Sequence, residues 1–197
     1  MTLLTLVRHG QTDWNLARRI QGTTDIPLNE TGRADARRAA AELALTTHHA
    51  IYSSPLIRAQ ETAQIIADEL GLVPSAVVPD LREREFGDGE GMLVADYIAA
   101  YGDWHGEVPG AESLDEVCVR AMAALHAIAR DVRRRSAPTA ESVIVVTHGG
   151  VIRSLIDHAS GGTLPLSGAI LGNGSLHRFE ASPGSLRLLE PAPVLQL

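Results

Sequence analysis

Short runs of apolar residues alternate along the chain with longer stretches in which apolar positions recur every three or four residues. The short runs predict β-strands, and the longer stretches predict amphipathic helices. We expect buried strands at Thr2–Val7, Ala50–Ser53, Ala76–Val78 and Val143–Thr147, and strands nearer a sheet edge at Leu176–Phe179 and Leu186–Leu189. Helices are expected at Glu30–Leu45, Leu56–Leu70, Ser113–Arg135 and Gly150–His158. This alternation indicates an α/β protein in which helices pack on a central sheet.

Residues typical of helix ends support these boundaries. Pro55 stands at a helix start, Gly71 at a helix end, and Ser113 begins a capping box that Glu116 completes. The segment Gly87–Gly110 is rich in glycine and follows no single period. We expect it to form a long excursion that carries function, with bounds of about 87–112.

The length of 197 residues predicts one domain, 1–197, with a substantial core. A hydrophobic content of 45% and a net charge of −7 are typical of a globular protein that binds neither nucleic acid nor membrane. The apolar residues before Arg8 lack the basic leader and cleavage site of a signal peptide, so we expect them to form a strand.

The basic residues and the single cysteine exclude several chemistries. All 17 basic residues are arginines, which excludes enzymes that need a Schiff-base lysine or a phosphate-binding lysine. Cys118 is alone, so the chain has neither an internal disulfide nor a multi-cysteine zinc site. We therefore expect a reducing, cytoplasmic compartment.

Two predicted strands end in a histidine followed by glycine. Arg8, His9 and Gly10 follow the first strand, and His148 and Gly149 follow Thr147. Ligands of open α/β sheets bind outside the carboxyl ends of the strands. Either histidine alone would be explained by a hydrogen-bonded turn, but the two together indicate a functional site.

Two further elements carry charge close to predicted strand ends. Arg58 lies in the first turn of the helix after Ala50–Ser53, where a guanidinium and helix amides both favour a phosphate. The alternative interpretation of Arg58 is an exposed charge on the protein surface. Carboxylates and arginines alternate over 82–85, which solvated ion pairs would explain equally well.

The ordered set of these motifs resembles the histidine phosphatase superfamily, whose fold is that of the phosphoglycerate mutases. The resemblance extends over nearly the whole chain, through Leu6–Gly10, Gly22, Leu28–Gly32, Ser53–Thr62, Glu83–Gly87, Pro109–Ser113 and Thr147–Gly149. It implies a three-layer α/β/α sandwich with a mostly parallel sheet. Gly89 stands where many members have a tryptophan.

The resemblance also implies a role for each site residue. His9 would be the nucleophile that becomes phosphohistidine, and Arg8, Arg58 and His148 would hold the phosphoryl oxygens. Glu83 matches the proton donor. The remaining contacts to phosphate or substrate would come from Asn15, Gln21, Gly22 and Gly149.

Simple physical considerations agree with these roles. Two guanidinium groups and an imidazole supply the positive charge that a metal ion provides elsewhere, so we expect neither metal nor cofactor. A neutral His9 needs one ring nitrogen free while the other donates to a backbone carbonyl. Because side chains of an extended segment alternate, we expect Glu83 rather than Glu85 to point into the pocket.

Three functions fit the resemblance: a phosphomonoesterase acting on small phosphate esters, a cofactor-dependent phosphoglycerate mutase, and a non-catalytic phospholigand-binding module. Glu83 and His148 are 65 residues apart, an interval that resembles the shorter phosphatase branch. Every polar group needed for turnover is present, which disfavours the module. A homodimer is compatible with all three.

By this resemblance the excursion covers the substrate, so its charges affect which substrates can bind. The excursion and the residues that flank it have no arginine between Glu85 and Val119, where the mutases have basic residues for the substrate carboxylate, and Val94 replaces their lysine. The charged residues of this stretch are acidic: Glu85, Asp88, Glu90, Asp96, Asp103, Glu107, Glu112, Asp115 and Glu116. We therefore expect uncharged leaving groups, with Tyr97, Tyr101 and Trp104 either stacking on them or packing in a core.

Overall fold

A computed structural model describes residues 1–166 and 169–189. In this part of the chain six strands form one sheet in the order β3-β2-β4-β1-β5-β6. The strands are β1 Thr2–Arg8, β2 Ala50–Ser53, β3 Pro74–Val77, β4 Ser142–Thr147, β5 Leu176–Ser182 and β6 Ser185–Leu188. The first four strands of this order run parallel, β5 pairs antiparallel with β1, and β6 pairs antiparallel with β5. The sheet is therefore mostly parallel, as predicted.

Helices cover both faces of this sheet. They are α1 Asp13–Leu16, α2 Glu30–Leu43, α3 Ile57–Leu70, α4 Val94–Tyr101, α5 Leu114–Ser136 and α6 Gly149–Ala159, with short 3₁₀ turns at Pro79–Leu81 and Gly87–Gly89. Successive side chains of β1 point to opposite faces of the sheet and so enter two separate cores. Leu6 packs with α5 and α6, whereas Val7 packs with α2 and α3. The result is the predicted three-layer α/β/α sandwich. None of the helices in the described ranges combines the length and the apolar character needed to cross a membrane.

The predicted helix ends are also present. Gly71 ends α3 with φ near 65°, a left-handed conformation that glycine adopts without strain. Ser113 and Glu116 exchange the two hydrogen bonds of a capping box at the start of α5. Leu56 caps α3, so that helix begins at Ile57, two residues after Pro55.

The prediction of a buried strand at Ala76–Val78 is wrong. The strand spans Pro74–Val77, and all four residues are exposed. It is the edge strand and pairs with β2 alone, so neither face is fully covered. Its small and β-branched residues indicate a strand but do not distinguish an edge from the centre of a sheet.

The excursion has a helix and a small core of its own. The helix is α4, which the sequence pattern did not reveal, since its eight residues are too few to display a helical period. Ile20, Phe86, Tyr97 and Val108 form the buried cluster beneath it. Tyr97 is fully buried, with its ring 5.5 Å from that of Trp104 and 5.2 Å from that of Tyr101. Tyr97 therefore takes the core role, and the partly buried Tyr101 and Trp104 pack against it.

One buried histidine lies in the sheet itself. His177 on β5 is paired in register with Leu6, and its Nε2 lies 2.8 Å from the Ser175 hydroxyl. Burial, and secondarily the positive charge of Arg8, lower the pKa of His177 to about 4. Between about pH 4 and pH 6.5 the folded protein therefore keeps this imidazole neutral, whereas an unfolded chain would protonate it.

This difference predicts a loss of stability in acid. As pH falls below the ordinary histidine value of 6.5, the unfolded chain takes up a proton that native His177 does not bind until about pH 4. Between these limits the free energy of unfolding should fall by roughly 3 kcal/mol from this residue alone. Denaturant unfolding from pH 7.5 to 4.5 should show a flatter slope for His177→Gln. The exposed His105→Gln should retain the wild-type slope, and equal slopes for all three proteins would contradict the prediction.

Candidate active site

His9 lies where β1 ends, and it is almost fully buried. Its Nδ1 lies 2.7 Å from the carbonyl oxygen of Gly10 and donates to it, as expected from the sequence. Burial, followed by the charges of Arg58 and Arg8, lowers the pKa of His9 well below its ordinary value. The ring is therefore neutral near pH 7, and Nε2 keeps a free lone pair.

His148 lies at the end of the adjacent strand, as predicted. Strands β1 and β4 run in register with Arg8 opposite Thr147, so the two histidine rings are only 5.2 Å apart. His148 Nε2 lies 2.6 Å from the Ser54 hydroxyl, and its Nδ1 has no partner in the described structure. Burial and Arg58 lower the pKa of His148 well below the ordinary value, so this ring is also neutral.

The two predicted arginines are buried beside these rings. Arg58 has no exposed surface, and it donates to the carbonyl oxygens of Gly22 at 2.7 Å and Thr24 at 2.8 Å. Arg8 donates through Nη1 to the carbonyl of Leu171. Burial lowers the pKa of Arg8 and brings that of Arg58 to about 10, so both keep their charge at neutral pH. The alternative of an exposed surface charge at Arg58 is wrong.

Three buried donors of this cluster remain unused. The Nε atoms of Arg8 and Arg58 and the Nδ1 of His148 lack a hydrogen-bond partner within residues 1–166 and 169–189. Unpaired buried polar groups are costly and uncommon in native proteins. Two cations and an imidazole with unused donors beside the free Nε2 of His9 fit a tetrahedral dianion such as a phosphoryl group.

Glu83 lies at the same site and joins it to α6. Its two carboxylate oxygens accept from the backbone N–H of Arg84 at 2.9 Å and of Gly150 at 3.0 Å. A Cβ on Gly150 would lie 2.4 Å from Glu83 Oε1, so this close approach requires glycine. The carboxylate is close enough that its charge partly opposes the lowering of the pKa of Arg8 and Arg58 by burial.

The reason given for preferring Glu83 over Glu85 does not hold. Alternation places residues two apart on the same face, so it does not separate the two carboxylates. What separates them is their partners, since Glu85 accepts from Arg82 at 3.1 Å in a surface ion pair. The segment is irregular rather than a strand, and local contacts fix each side chain.

The remaining predicted residues line the loop after β1 and the start of α6. Asn15 Oδ1 accepts from the Thr12 backbone N–H at 3.1 Å, and Gln21 Oε1 accepts from the Thr12 hydroxyl at 2.9 Å. Both side-chain amide nitrogens are therefore directed away from these bonds. Gly22 has φ near 51° and supplies a carbonyl to Arg58, and Gly149 begins α6, packed against the Arg8 side chain.

Sequence patterns did not single out several residues that hold the site together. The Thr62 hydroxyl accepts from Gly10 N–H at 3.0 Å and donates to the Arg58 carbonyl at 2.7 Å, which links the turn after β1 to the first turn of α3. Asn173 Nδ2 donates to the His9 carbonyl at 3.0 Å. Ser54 and Thr62 lie within the Ser53–Thr62 motif, but nothing in the sequence near Asn173 indicates its role.

The described residues contain no group of three or more histidine, cysteine, aspartate or glutamate side chains placed to hold a metal ion. His48, which belongs to a histidine pair in the sequence, contacts the hydroxyls of Thr46 and Ser142. A cavity of about 610 Å³ lies outside the site, lined by residues 105–109 and 111–116 and by Arg84. It contains none of the predicted catalytic residues.

Comparison with known proteins agrees with this geometry. The model of the histidine phosphatase superfamily (branch 1) matches residues 4–192. The chain belongs to this superfamily. The resemblance drawn from its motifs is thus confirmed, and so is the α/β fold of the phosphoglycerate mutases.

Individual members include both phosphatases and mutases. An uncharacterized phosphatase, PhoE, of Bacillus subtilis is 37% identical over 95% of this chain and 93% of its own. A 2,3-bisphosphoglycerate-dependent phosphoglycerate mutase of Gloeobacter violaceus is 36% identical over 81% of this chain and 78% of its own. A mycobacterial glucosyl-3-phosphoglycerate phosphatase solved with VO3 is 30% identical, with a TM-score of 0.78 over 95% of this chain and 97% of its own. Membership of the superfamily and the similarity to these phosphatases support phosphomonoesterase activity for this chain.

Proposed function

We propose that this histidine phosphatase hydrolyses small phosphate monoesters through a phosphohistidine formed on His9. The observation that carries the proposal is the free Nε2 of a buried, neutral His9 beside three unused buried donors. In the first step Nε2 attacks phosphorus and the bond from phosphorus to the leaving oxygen breaks. In the second step water attacks the same phosphorus and the N–P bond breaks, which releases phosphate and restores the neutral imidazole.

Arg8, Arg58 and His148 hold the phosphoryl oxygens in both steps. Charge spreads over these oxygens in the transition state, so donors fixed in a buried site stabilise it without having to reorient. Carbonyls of Leu171, Gly22 and Thr24 fix the guanidinium groups in advance. Because these cations supply the positive charge, we propose that catalysis needs no metal ion.

Glu83 moves the proton. In its protonated form it gives a proton to the leaving oxygen, and the resulting carboxylate then takes a proton from the attacking water. Its contact with the N–H of Gly150 keeps it at the start of α6, next to His148. Asn15, Gln21, Gly22 and Gly149 complete the phosphate pocket in this proposal.

The described contacts favour water over a second phosphoryl acceptor. A mutase must hold the substrate carboxylate, yet the excursion has no arginine. The first arginine after it is Arg120 on α5, whose donors are already taken. The acidic residues in and beside the excursion repel a second anionic group on the substrate less strongly than their number in the sequence suggests. Six of the nine are exposed and screened by solvent, while Glu85, Glu90 and Glu112 are engaged by arginine or N–H donors.

The cellular setting belongs to the same proposal. A single half-buried thiol, Cys118, fits a reducing, cytoplasmic compartment. The partner is a small phosphate ester, with neither nucleic acid nor membrane involved. A homodimer remains compatible with this function.

Replacing His9 tests the nucleophile. His9→Ala should lower kcat/KM by at least about 10³-fold, because no other group can accept the phosphoryl group. Wild-type enzyme quenched during turnover of a ³²P-labelled ester should carry label that is lost in acid and kept in alkali, and His9→Ala should carry none. Chelator should leave the wild-type rate unchanged. Substantial turnover by His9→Ala, or loss of activity with chelator, would overturn this mechanism.

A leaving-group series tests Glu83. Glu83→Gln should lower kcat/KM for an alkyl phosphate by about 10²-fold or more, and for 2,4-dinitrophenyl phosphate by less than about fivefold, because a stable aryl oxide needs no proton. Water attack would still be slowed, so dinitrophenolate should appear in a burst. Glu85→Gln is the matched control and should behave as wild type. The reverse pattern in the two variants would assign the proton to Glu85.

Competition between esters tests the substrate class. The kcat/KM for 3-phosphoglycerate should not exceed that for an aryl, sugar or nucleoside monophosphate, because the described excursion offers no cation to a carboxylate. No 2-phosphoglycerate should form from 3-phosphoglycerate when 2,3-bisphosphoglycerate is present as primer. Efficient mutase turnover would favour the mutase alternative, and phosphate binding without hydrolysis of any ester would favour the binding module.

A further inference from the structure

The backbone that leads to Glu83 is held by side chains rather than by secondary structure. Residues 82–85 belong to no helix or strand, so their carbonyl groups have no regular partners. Four consecutive carbonyls, two at the end of the 3₁₀ turn Pro79–Leu81 and two in this segment, accept hydrogen bonds from distant side chains. The Thr147 hydroxyl donates to Leu81 at 2.7 Å, and Arg120 donates to Asp80, Arg82 and Glu83 at 2.7, 2.8 and 3.1 Å.

Arg120 uses every donor that a guanidinium has. Three of its five N–H groups reach these carbonyls, and the other two form a fork on the Glu112 carboxylate at 2.6 and 2.8 Å. The exposed fractions of the two side chains are 11% for Arg120 and 10% for Glu112. Since no donor is left over, Arg120 has no hydrogen bond to offer a substrate.

The same pair also links Glu83 to two rigid elements. Arg120 projects from α5, a helix of 23 residues whose buried face packs in the main core. The backbone of Glu112 donates to the Glu85 carbonyl at 2.9 Å, and its own carbonyl accepts from Arg84 at 2.6 Å. The irregular segment around Glu83 is therefore fixed on both sides.

We propose that Arg120, oriented by Glu112, is the positioning residue that holds Glu83 where it can transfer a proton. The inference rests on the proposed role of Glu83. Proton transfer needs the donor within hydrogen-bond reach of the leaving oxygen, so a displacement of about 1 Å in the segment is enough to impair it. Arg120 acts on Glu83 through the backbone and has no hydrogen bond to the reacting groups. Its charge also reaches His148, and a lysine at the same position retains that charge.

The test uses Arg120→Lys in the full-length enzyme. Lysine keeps the charge and the aliphatic stem but presents a single ammonium, so it does not reproduce three carbonyl contacts and a fork. The kcat/KM for an alkyl phosphate should fall about tenfold, while that for 2,4-dinitrophenyl phosphate should change less than about twofold. Arg130→Lys, an exposed arginine on the same helix, is the matched control and should leave both values unchanged.

A double variant separates positioning from general damage. In a Glu83→Gln background, Arg120→Lys should change the alkyl value by less than about twofold, because the group that it positions is already gone. Glu112→Gln, which removes one side of the fork, should reproduce the alkyl-selective loss and serves if Arg120→Lys does not fold. Assays are run well below the midpoint of thermal unfolding of each variant.

The outcomes distinguish the two proposals. An equal loss with both esters, no loss with either, or a full additional loss in the double variant would show that Arg120 does not act through Glu83. If Glu83→Gln itself has no effect that depends on the leaving group, the proposed role of Glu83 fails and the positioning role fails with it. If Glu83→Gln shows that effect and Arg120→Lys does not, only the inference about Arg120 is overturned.

Discussion

The site depends on the burial of two guanidinium groups, those of Arg8 and Arg58, at the carboxyl ends of the parallel strands. Moving a cation out of water is expensive unless its donors are satisfied. Backbone carbonyls of Gly22, Thr24 and Leu171 satisfy part of this requirement, and Glu83 supplies a nearby negative charge. The Nε atoms of both guanidinium groups have no partner within the described residues. In the proposed function a phosphoryl group accepts from these donors and balances the remaining positive charge.

That arrangement needs close approaches of backbone at the strand ends, which explains where several glycines lie. A Cβ on Gly10 would lie 2.1 Å from the carbonyl oxygen of Gly32, so the turn after His9 and the start of α2 require glycine at that contact. Gly150 allows Glu83 to reach the first turn of α6 in the same way. Packing of this kind fixes the catalytic groups before any ligand arrives, and preorganised donors are worth more than mobile ones.

The sheet, most of the helix bounds and the location of His9 and His148 at strand ends could be predicted from the sequence. These features follow from the local hydrophobic period and from the geometry of parallel strands. Other features depend on what lies far away in the chain. The exposure of β3 follows from its position at the sheet edge, and α4 is too short to show a period. The support that Arg120 gives to Glu83 spans 37 residues, and no local pattern encodes such a contact.

The two histidines show how one residue type can take two roles at equal burial. Both are neutral, and their rings are 5.2 Å apart, so neither charge nor depth distinguishes them. The distinction lies in which ring nitrogen is already bonded. His9 donates from Nδ1 to Gly10, which leaves a lone pair on Nε2. When the Ser54 hydroxyl donates to Nε2 of His148, the proton resides on Nδ1, so one ring presents a free lone pair and the other an N–H donor. In the proposed mechanism a serine and a carbonyl outside the reacting groups therefore determine which histidine is the nucleophile.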